Sequence, residues 1–423
     1  MTAQQPALNV PRKIYQMSVD ERLRYLVDQG SLSKESADAY RASIVDDAAA
    51  RMSENVIGEL VSPLAVVTDL LVNGEHCLVP MTTEEPSVVA AANHGARMAT
   101  GGFAAASHRD GIYGQILLDS NDRFDWRRLT AHVPELIRLV ARQFASLSMR
   151  GGGLTNIDMH EDGLTCELLV KVGTAEAMGA NIVNSILECM VHDIESVFPQ
   201  LNAVMAIVSN YPSQLVDVET RVPFAQLGKD REGNALIAHN IARMADFAER
   251  SPYRAVTNNK GIMNGVDAVV AACGNDTRAV EAACHQLAAL SGRYMPLSHW
   301  SVDDDAQHLV GTMRLALPIG AVGGAIASRS AIMRNMELMG SPNVKRLGEI
   351  IAATGLANNL AALHALAGEG IQHGHMRLQA AQTAIAVGAT ADETPQLVSR
   401  MVAASEYSQS WAAEQLADMR DGR

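Results

Sequence analysis

Hydrophobic positions in the first fifty residues recur at helical spacing. In SVDERLRYLVDQG, Leu23, Leu26 and Val27 share one face. Ser18 and Glu21 are spaced as a capping box and Gly30 marks a stop. HCLVPM (76–81) reads as a short strand. TTEEPSVVAAANHGARMA follows as a helix opened by Pro86, with Glu85 at its N-terminal edge and Gly101 and Gly102 behind it. Near Gly111 the period changes. GIYGQILLD predicts a strand, and WRRLTAHVPELIRLVARQFASL a long amphipathic helix with Pro134 as a kink point. LTNIDMHE and LTCELLVKV predict two strands flanking a turn at Asp162-Gly163. AMGANIVNSILECMVHDIE is a second helix, and NAVMAIVSN a last strand ending near Asn210. This β-α-β-β-α-β order is the split βαβ, or ferredoxin-like, signature. From about Tyr211 helical patterns resume, and GTMRLALPIGAVGGAI (311–326) reads as a strand running into a glycine turn. After GEGIQHGHM come two polar-faced helical segments, a small mobile tail behind Gly368, Gly370 and Gly374.

The predicted fold class is α+β. A large helix-rich domain is formed by 1–108 and 211–368, interrupted by a compact inserted domain over 109–210 and followed by a helical tail over 369–423. Composition agrees: apolar residues are 48% and charged ones 19%, enough for a large core. Aromatics are only 4%, which favours closely packed helices over a β-sandwich. Net charge is −13 with no basic block, which disfavours nucleic-acid binding. Cys77, Cys166, Cys189, Cys273 and Cys284 are odd in number and widely spaced in apolar segments, as reduced core thiols are. The N-terminus has no apolar signal core, and no run reaches the ~18 apolar residues of a membrane span. The expectation is a soluble cytoplasmic protein that does not engage a membrane.

Four stretches carry candidate chemistry. VTNNKGIMNGVDAVVAACGND (256–276) places Lys260 at the head of an apolar run that ends in Asp276. An ammonium in such a setting is either paired or has a lowered pKa; the plainer reading is a helix-start lysine with its tip in water. EAMGAN (176–181) joins a strand to a helix and offers free N–H groups to a phosphate, although it lacks GxGxxG. IQHGHM pairs His373 with His375, a spacing for either a metal site or a movable acid. The carboxylates are not clustered with these histidines and there is no H-E-x-x-H, so no metal is expected. Glu84 and Glu85 precede Pro86, and a carboxylate tucked against an apolar helix start is a proton-donor candidate.

Together, ENVIGEL (54–60), TEEPSVVAAAN (83–93), EAMGANIVN (176–184), NKGIMNGVDAVVAACGND (259–276), PIGAVGGAI (318–326) and GLANNLAALHALAGEGIQHGHM (355–376) resemble the signature segments of 3-hydroxy-3-methylglutaryl-coenzyme A (HMG-CoA) reductases. Length, segment order and the lack of an anchor are similar to the bacterial class II form. The resemblance implies that the large domain binds the coenzyme A thioester, that the insert binds the dinucleotide, and that the tail is a flap. It also implies a homodimer, or an oligomer of dimers, with active sites at subunit interfaces. By motif, the catalytic residues would be Glu85, Lys260, Asp276 and His375, with Asp276 pairing Lys260. Ser87, Arg254, Asn264 and Asn359 would hold the 3-hydroxy-3-methylglutaryl part, Arg254 suiting a carboxylate through its two-pronged fork. Glu176, Met178, Gly179, Ala180 and Asn181 would hold the dinucleotide.

Two departures stand out. Glu176 replaces the family's usual Asp. NADH-using members carry an acidic residue seven positions before the Gly-Gly-Gly turn; counting back from Gly151 gives Phe144 here, with Arg142 and Arg150 nearby. A carboxylate there would bind ribose hydroxyls and repel a 2′-phosphate. Phe144 does neither, which leaves NADP open; NAD is the expected cofactor because the class II resemblance implies it. The other readings are a metal-assisted hydrolase and a non-catalytic coenzyme A-binding oligomer.

Overall fold

Alternating burial, not helical period, governs the strands flanking the inserted segment. The computed structural model describes residues 13–45, 52–228, 230–368 and 371–421, without the side chains of 325 and 371–378. Two units emerge, one running up to Pro63 and taking in 328–330, the other holding the rest. In the first, α1 (Val19–Asp28) and α2 (Lys34–Ser43) follow the predicted pattern. Ser18 Oγ accepts from the Glu21 N–H at 3.3 Å, and Glu21 Oε2 accepts from the Ser18 N–H at 2.6 Å, so the capping box forms. Arg22 is buried, yet its guanidinium donates to the carbonyls of Ile14, Tyr15 and Val56, which offsets the cost of removing a cation from water.

The second unit begins with β1 (Leu64–Val72), β2 (Glu75–Thr82), α3 (Val88–Met98) and β3 (Phe103–Arg109). It continues through β4 (Ile112–Ser120), α4 (Arg127–Gln143), α5 (Ala145–Met149), β5 (Gly153–Asp162), β6 (Thr165–Gly173), α6 (Ala180–Val197) and β7 (Leu201–Ser209). Then come β8 (Gln214–Pro223), α7 (Arg231–Arg250), α8 (Pro252–Ala272), α9 (Thr277–Ala289), β9 (Ser298–Asp303) and β10 (His308–Ala316). The chain closes with α10 (Ala325–Ser328), α11 (Ser330–Leu338), α12 (Val344–Ala367), α13 (Ile371–Ala386), α14 (Thr394–Ala404) and α15 (Gln409–Arg420).

Two sheets result, with strand orders β2-β1-β3-β8-β10-β9 and β5-β6-β4-β7. The mixture of helix and sheet is α+β, as expected. β3 and β8 lie antiparallel, with Arg109 opposite Gln214, so the chain leaves and re-enters the larger sheet at adjacent points. Between those points the smaller sheet packs under α4 and α6 through Leu129, Leu136, Val183, Leu187, Ile116 and Leu168. Helix α4 runs through Pro134 without ending there.

Several elements depart from expectation. β1, β3, β8 and β9 are strands that the helical reading passed over. β8 (QLVDVETRVP) buries Val216, Val218 and Val222 and leaves Glu219 and Arg221 out; charged residues on an open face hid its two-residue period. The C-terminal tail has three helices rather than two, closed on Ala380, Ala384, Leu397, Met401, Ala412 and Leu416. The run Val344–Ala367 is long and apolar enough to span a membrane, contrary to the sequence reading, but most of it is buried inside the protein. It lies in the core against α3, α8 and the larger sheet, and an apolar surface all round is what such a helix requires.

The packing of α3 on α12 is close because one residue lacks a side chain. A Cβ on Gly95 would lie 1.9 Å from the Ala357 carbonyl oxygen, a backbone atom that cannot swing aside. Gly95→Ala should therefore force the helices apart and lower stability by about 2 kcal/mol or more. Denaturant titration checks this; an unchanged midpoint would mean that α3 shifts freely on α12.

Candidate active site

Helix α8 starts at Pro252, with Ser251 Oγ accepting the Arg254 N–H at its N-terminus. Lys260 is thus more than two turns inside the helix rather than at its start. Its neighbours Asn258 and Asn259 are buried while Lys260 points outward. Lys260 Nζ donates to Glu85 Oε2 at 2.8 Å, and the two side chains remain 61% and 40% exposed. The plainer reading and the functional one both hold in part: the ammonium is wet, and it is paired.

Glu85 reaches α8 from the turn before α3. Its N–H donates to Thr83 Oγ1 at 3.1 Å, and Ser87 takes a left-handed conformation (φ 76°) at the N-cap. Such a backbone costs a non-glycine residue about 1 kcal/mol or more and holds only where its surroundings fix it. The turn opens onto a cleft of about 300 Å³ between α3, α8 and α12. Glu85, Ser87 and Asn264 line it, with Asn358 and His94; methyl groups of Ala90, Ala91, Ala361, Ala362 and Ala365 form much of its wall. The structure therefore brings Glu85, Ser87, Lys260 and Asn264 together.

Other expected residues sit differently. Asp276 does not pair with Lys260. It caps α9, with Oδ1 accepting the N–H groups of Arg278 (2.9 Å) and Ala279 (3.2 Å) and Oδ2 meeting the Arg278 guanidinium at 3.1 Å. Helix-capping geometry at the α8–α9 turn claims this carboxylate. Asn359 does not face the cleft. It is buried, its Oδ1 accepting from Ser298 Oγ (2.9 Å) and Trp300 Nε1 (2.8 Å) and its Nδ2 donating to Asn258 Oδ1 (3.0 Å). Its neighbour Asn358 is the one lining the cleft, because adjacent residues on a helix point about 100° apart. Arg254 is half-buried near the start of α8 and burial lowers its pKa; it makes no ion pair among the described residues. The side chains of His373 and His375 lie outside the described residues, although α13 spans them.

The EAMGAN turn is fastened from several sides. Glu176 Oε2 accepts the Val344 N–H at the start of α12 (2.8 Å), and the Glu176 carbonyl accepts from Ala321 N–H (2.8 Å). Ala177 bridges Val322. Gly179 caps α6 at φ +98°, where a Cβ would strike Thr174 Cγ2 at 2.1 Å, so only glycine fits. A Cβ on Gly320 would lie 2.4 Å from the Met178 nitrogen, so the PIGAVGG segment presses on this turn. Ala180 and Asn181 open α6, whose first N–H groups lie beyond the reach of intrahelical acceptors. Phe144 ends α4 and packs against the core of the smaller sheet.

Two residues near these features were not picked out from the sequence. Arg109 donates to the carbonyls of Ala177 (3.5 Å) and Ile319 (3.3 Å), and burial pulls its pKa down to about 10 despite Glu176. His94 faces the cleft with its ring edge-on to His364 at 5.3 Å; burial, then His364 and Arg97, lower its pKa. His364 Nε2 lies 2.7 Å from the Leu227 carbonyl. Nothing local in the sequence marks either residue. Among the described residues no group of three or more His, Cys, Asp or Glu is placed to hold a metal ion.

Residues 18–380 match the family model for hydroxymethylglutaryl-coenzyme A reductase. The 3-hydroxy-3-methylglutaryl-coenzyme A reductase of Archaeoglobus fulgidus is 37% identical over 418 residues, covering 96% of this chain and 94% of that protein. A probable enzyme of the same name from Borreliella burgdorferi is 35% identical over 333 residues, covering 77% of this chain and 76% of the relative. Among solved structures, the class II enzyme of Streptococcus pneumoniae bound to NADPH superposes with a TM-score of 0.72 at 36% identity, covering 96% of this chain and 100% of that one. A second structure of the S. pneumoniae enzyme gives 0.73 at 35% identity, covering 96% and 99%. The family model, the identity to these relatives and the shared fold show that the chain belongs to the hydroxymethylglutaryl-coenzyme A reductase family of NAD(P)-dependent oxidoreductases, in its class II form.

Proposed function

We propose that this chain interconverts 3-hydroxy-3-methylglutaryl-coenzyme A with mevalonate and free coenzyme A in two hydride steps, each using one nicotinamide dinucleotide. The observation that carries this reading is the Lys260–Glu85 pair, 2.8 Å apart, with Glu85 on the wall of a narrow, largely alanine-lined cleft. A thin acyl-thioester arm suits such a cleft. The dinucleotide supplies hydride when bound. Lys260 places positive charge where the thioester oxygen, and later the aldehyde oxygen, becomes negative. Glu85, already hydrogen-bonded to Lys260, moves a proton to or from that oxygen. Ser87 and Asn264 orient the acyl part from two walls, and Arg254 takes its distal carboxylate. His375 protonates the departing thiolate; a free thiol has a pKa near ~8.5 and is mainly protonated at neutral pH, so a proton donor makes that step easier.

In the same reading, residues 109–210 bind the dinucleotide, with the Glu176–Asn181 turn and the start of α6 at its phosphates. Residues 1–108 and 211–368 bind the thioester, and 369–423 close as a flap. The enzyme works in the cytoplasm as a homodimer or an oligomer of dimers with sites at the subunit interface. NAD is the proposed cofactor. The S. pneumoniae relative is bound to NADPH, and NADP is admitted here because Phe144 offers no carboxylate against a 2′-phosphate.

The decisive assay follows dinucleotide reduction with mevalonate and coenzyme A. Activity without added metal is expected; a folded protein inert with both NAD and NADP would refute the reading. Removing the Lys260 charge (Lys260→Ala) should cost about 10²-fold or more in every partial reaction, including reduction of free mevaldehyde. His375→Gln should cripple thioester reduction while largely sparing mevaldehyde. Equal loss by both variants with mevaldehyde would remove His375 from the thiolate role.

Asp276→Asn separates two roles for Asp276, since Asn caps a helix about as well as Asp. Stability should hold while activity falls tenfold or so, if its charge acts beside Lys260 during turnover. Unchanged activity would confine Asp276 to capping α9. For cofactor choice, Phe144→Asp should raise the NAD-over-NADP ratio of kcat/KM; an unchanged ratio would place the ribose elsewhere.

A further inference from the structure

Helix α8 is held to α9 and to the segment after it by a chain of polar groups that the proposed chemistry does not use. The Asp267 carboxyl interacts with that of Glu281 on α9, and Asp267 Oδ1 is buried with no hydrogen-bond partner among the described residues. Glu281 Oε2 lies 2.5 Å from His285 Nε2, and His285 Nδ1 lies 2.6 Å from the Tyr294 hydroxyl. Tyr294 in turn meets the side chain of Asn259. Asn259 is fully buried; its Nδ2 donates to the Met295 carbonyl (2.9 Å) and its Oδ1 accepts the Leu297 N–H (2.9 Å).

These contacts allow one consistent order of donors and acceptors along the chain. Asn259 Oδ1 is taken by a backbone N–H, so its amide is the donor toward Tyr294. The Tyr294 hydroxyl can then donate to His285 Nδ1, with His285 Nε2 facing Glu281 Oε2. Two carboxylates in contact cannot both be ionised at modest cost, so the remaining proton sits between Asp267 and Glu281. Burial first, then Glu281, pushes the Asp267 pKa up to about 8. Facing the pair are Cys284 and His285 of α9 and Tyr294 beyond it. Among the described residues neither carboxyl forms an ion pair with a lysine or arginine, and Glu281 pairs with His285.

The chain touches α8 at two places, Asn259 and Asp267. Lys260 and Asn264 lie between them, and Asp267 is two turns, or about 10 Å, beyond Lys260. We propose that Asp267, Glu281, His285 and Tyr294 are positioning residues for the reductase, a hydrogen-bonded clamp that brackets Lys260 and Asn264 and closes only while the two carboxyls hold one proton between them. The clamp rests on the reading of Lys260 given above for its link to catalysis, but its proton can be detected without any activity.

The sign of the linkage is fixed. A carboxyl whose folded pKa lies above its unfolded value binds its proton in the folded state over the whole interval between the two. Its contribution is fully present below the unfolded pKa and is lost as pH rises through the folded one. The thermal midpoint of the intact protein should therefore fall as pH rises from about 4 to about 8. Asp267→Asn, which keeps a donor toward Glu281 without titrating, should flatten that fall. Amide exchange at Asn259–Gly261 should be faster in the unaltered protein than in Asp267→Asn at about pH 9, with the difference vanishing toward about pH 4. In the reductase assay, Asp267→Asn should shift the alkaline limb of kcat upward by about one pH unit. Glu281→Gln should lower kcat about tenfold with little change in KM for the thioester, as expected for misplacing Lys260 rather than losing substrate contacts.

Superimposable pH dependences of the midpoint and of exchange in the two proteins would overturn the clamp, whatever the activity. So would a kcat profile of Asp267→Asn identical to that of the unaltered enzyme. A folded protein with no reductase activity whose midpoint and exchange nevertheless respond as described would leave the clamp on α8 standing and remove the functional reading instead.

Discussion

The close approach of α3, α8 and α12 is the constraint on which the site depends. Gly95 lets α3 lie on the backbone of Ala357. On the other flank, a Cβ on Gly355 would meet Val266 Cγ2 at 2.8 Å, and one on Gly265 would meet Asn358 Nδ2 at 2.6 Å. Helices this near leave no room for large side chains between them, so the space that remains is a slot walled by alanine methyls. Its mouth inherits whatever the helices present there, which is Glu85 from the turn before α3 and Lys260 from α8. A slot of that shape selects for a thin linear group, and the same small residues that set helix spacing also set what enters.

Polar residues inside this helical core do a second task. Asn258, Asn259, Ser298, Asn359 and the Trp300 indole saturate one another, tying α8 and α12 to β9. A half-satisfied network of this kind would cost more than an apolar core, whereas a complete one fixes rotation of each helix about its axis. Rotation matters because Asn358 and Asn359 are adjacent: the network takes one and the cleft gets the other.

Legibility from sequence followed the range of the interaction. The capping box at Ser18, the strands and helices of 112–209 and the helical start at Pro86 were readable because each rests on contacts a few residues apart. β8 was not, since its partners β3 and β10 lie about a hundred residues away in either direction and its outward charges mask its period. The motifs identified Glu85 and Lys260, and their contact follows from α3 packing beside α8. The expected Lys260–Asp276 pair failed because a local helix cap competes for the same carboxylate and wins in this conformation. Asn359 is held in a buried network while its neighbour Asn358 lines the cleft, a one-residue difference that a motif does not resolve and a helix does. His94, Arg109 and the Asp267–Glu281 contact carry no sequence signal, because each becomes unusual only through burial produced by distant segments.

The exposure of the Lys260–Glu85 pair bears on how the site gains its strength. With both groups substantially in water, the pair adds at most about 1 kcal/mol to folding. The fold therefore does not need it, and its geometry is set by α8 and the Ser87 turn rather than by mutual attraction. In the proposed mechanism, an acyl-thioester filling the cleft would expel water and lower the effective dielectric, so the same ammonium would act far more strongly on a developing oxyanion. An ion pair that is weak in the open cleft and strong in the filled one spends its energy on the reacting state, provided its helix does not move. That requirement places the weight of the mechanism on what holds α8 still.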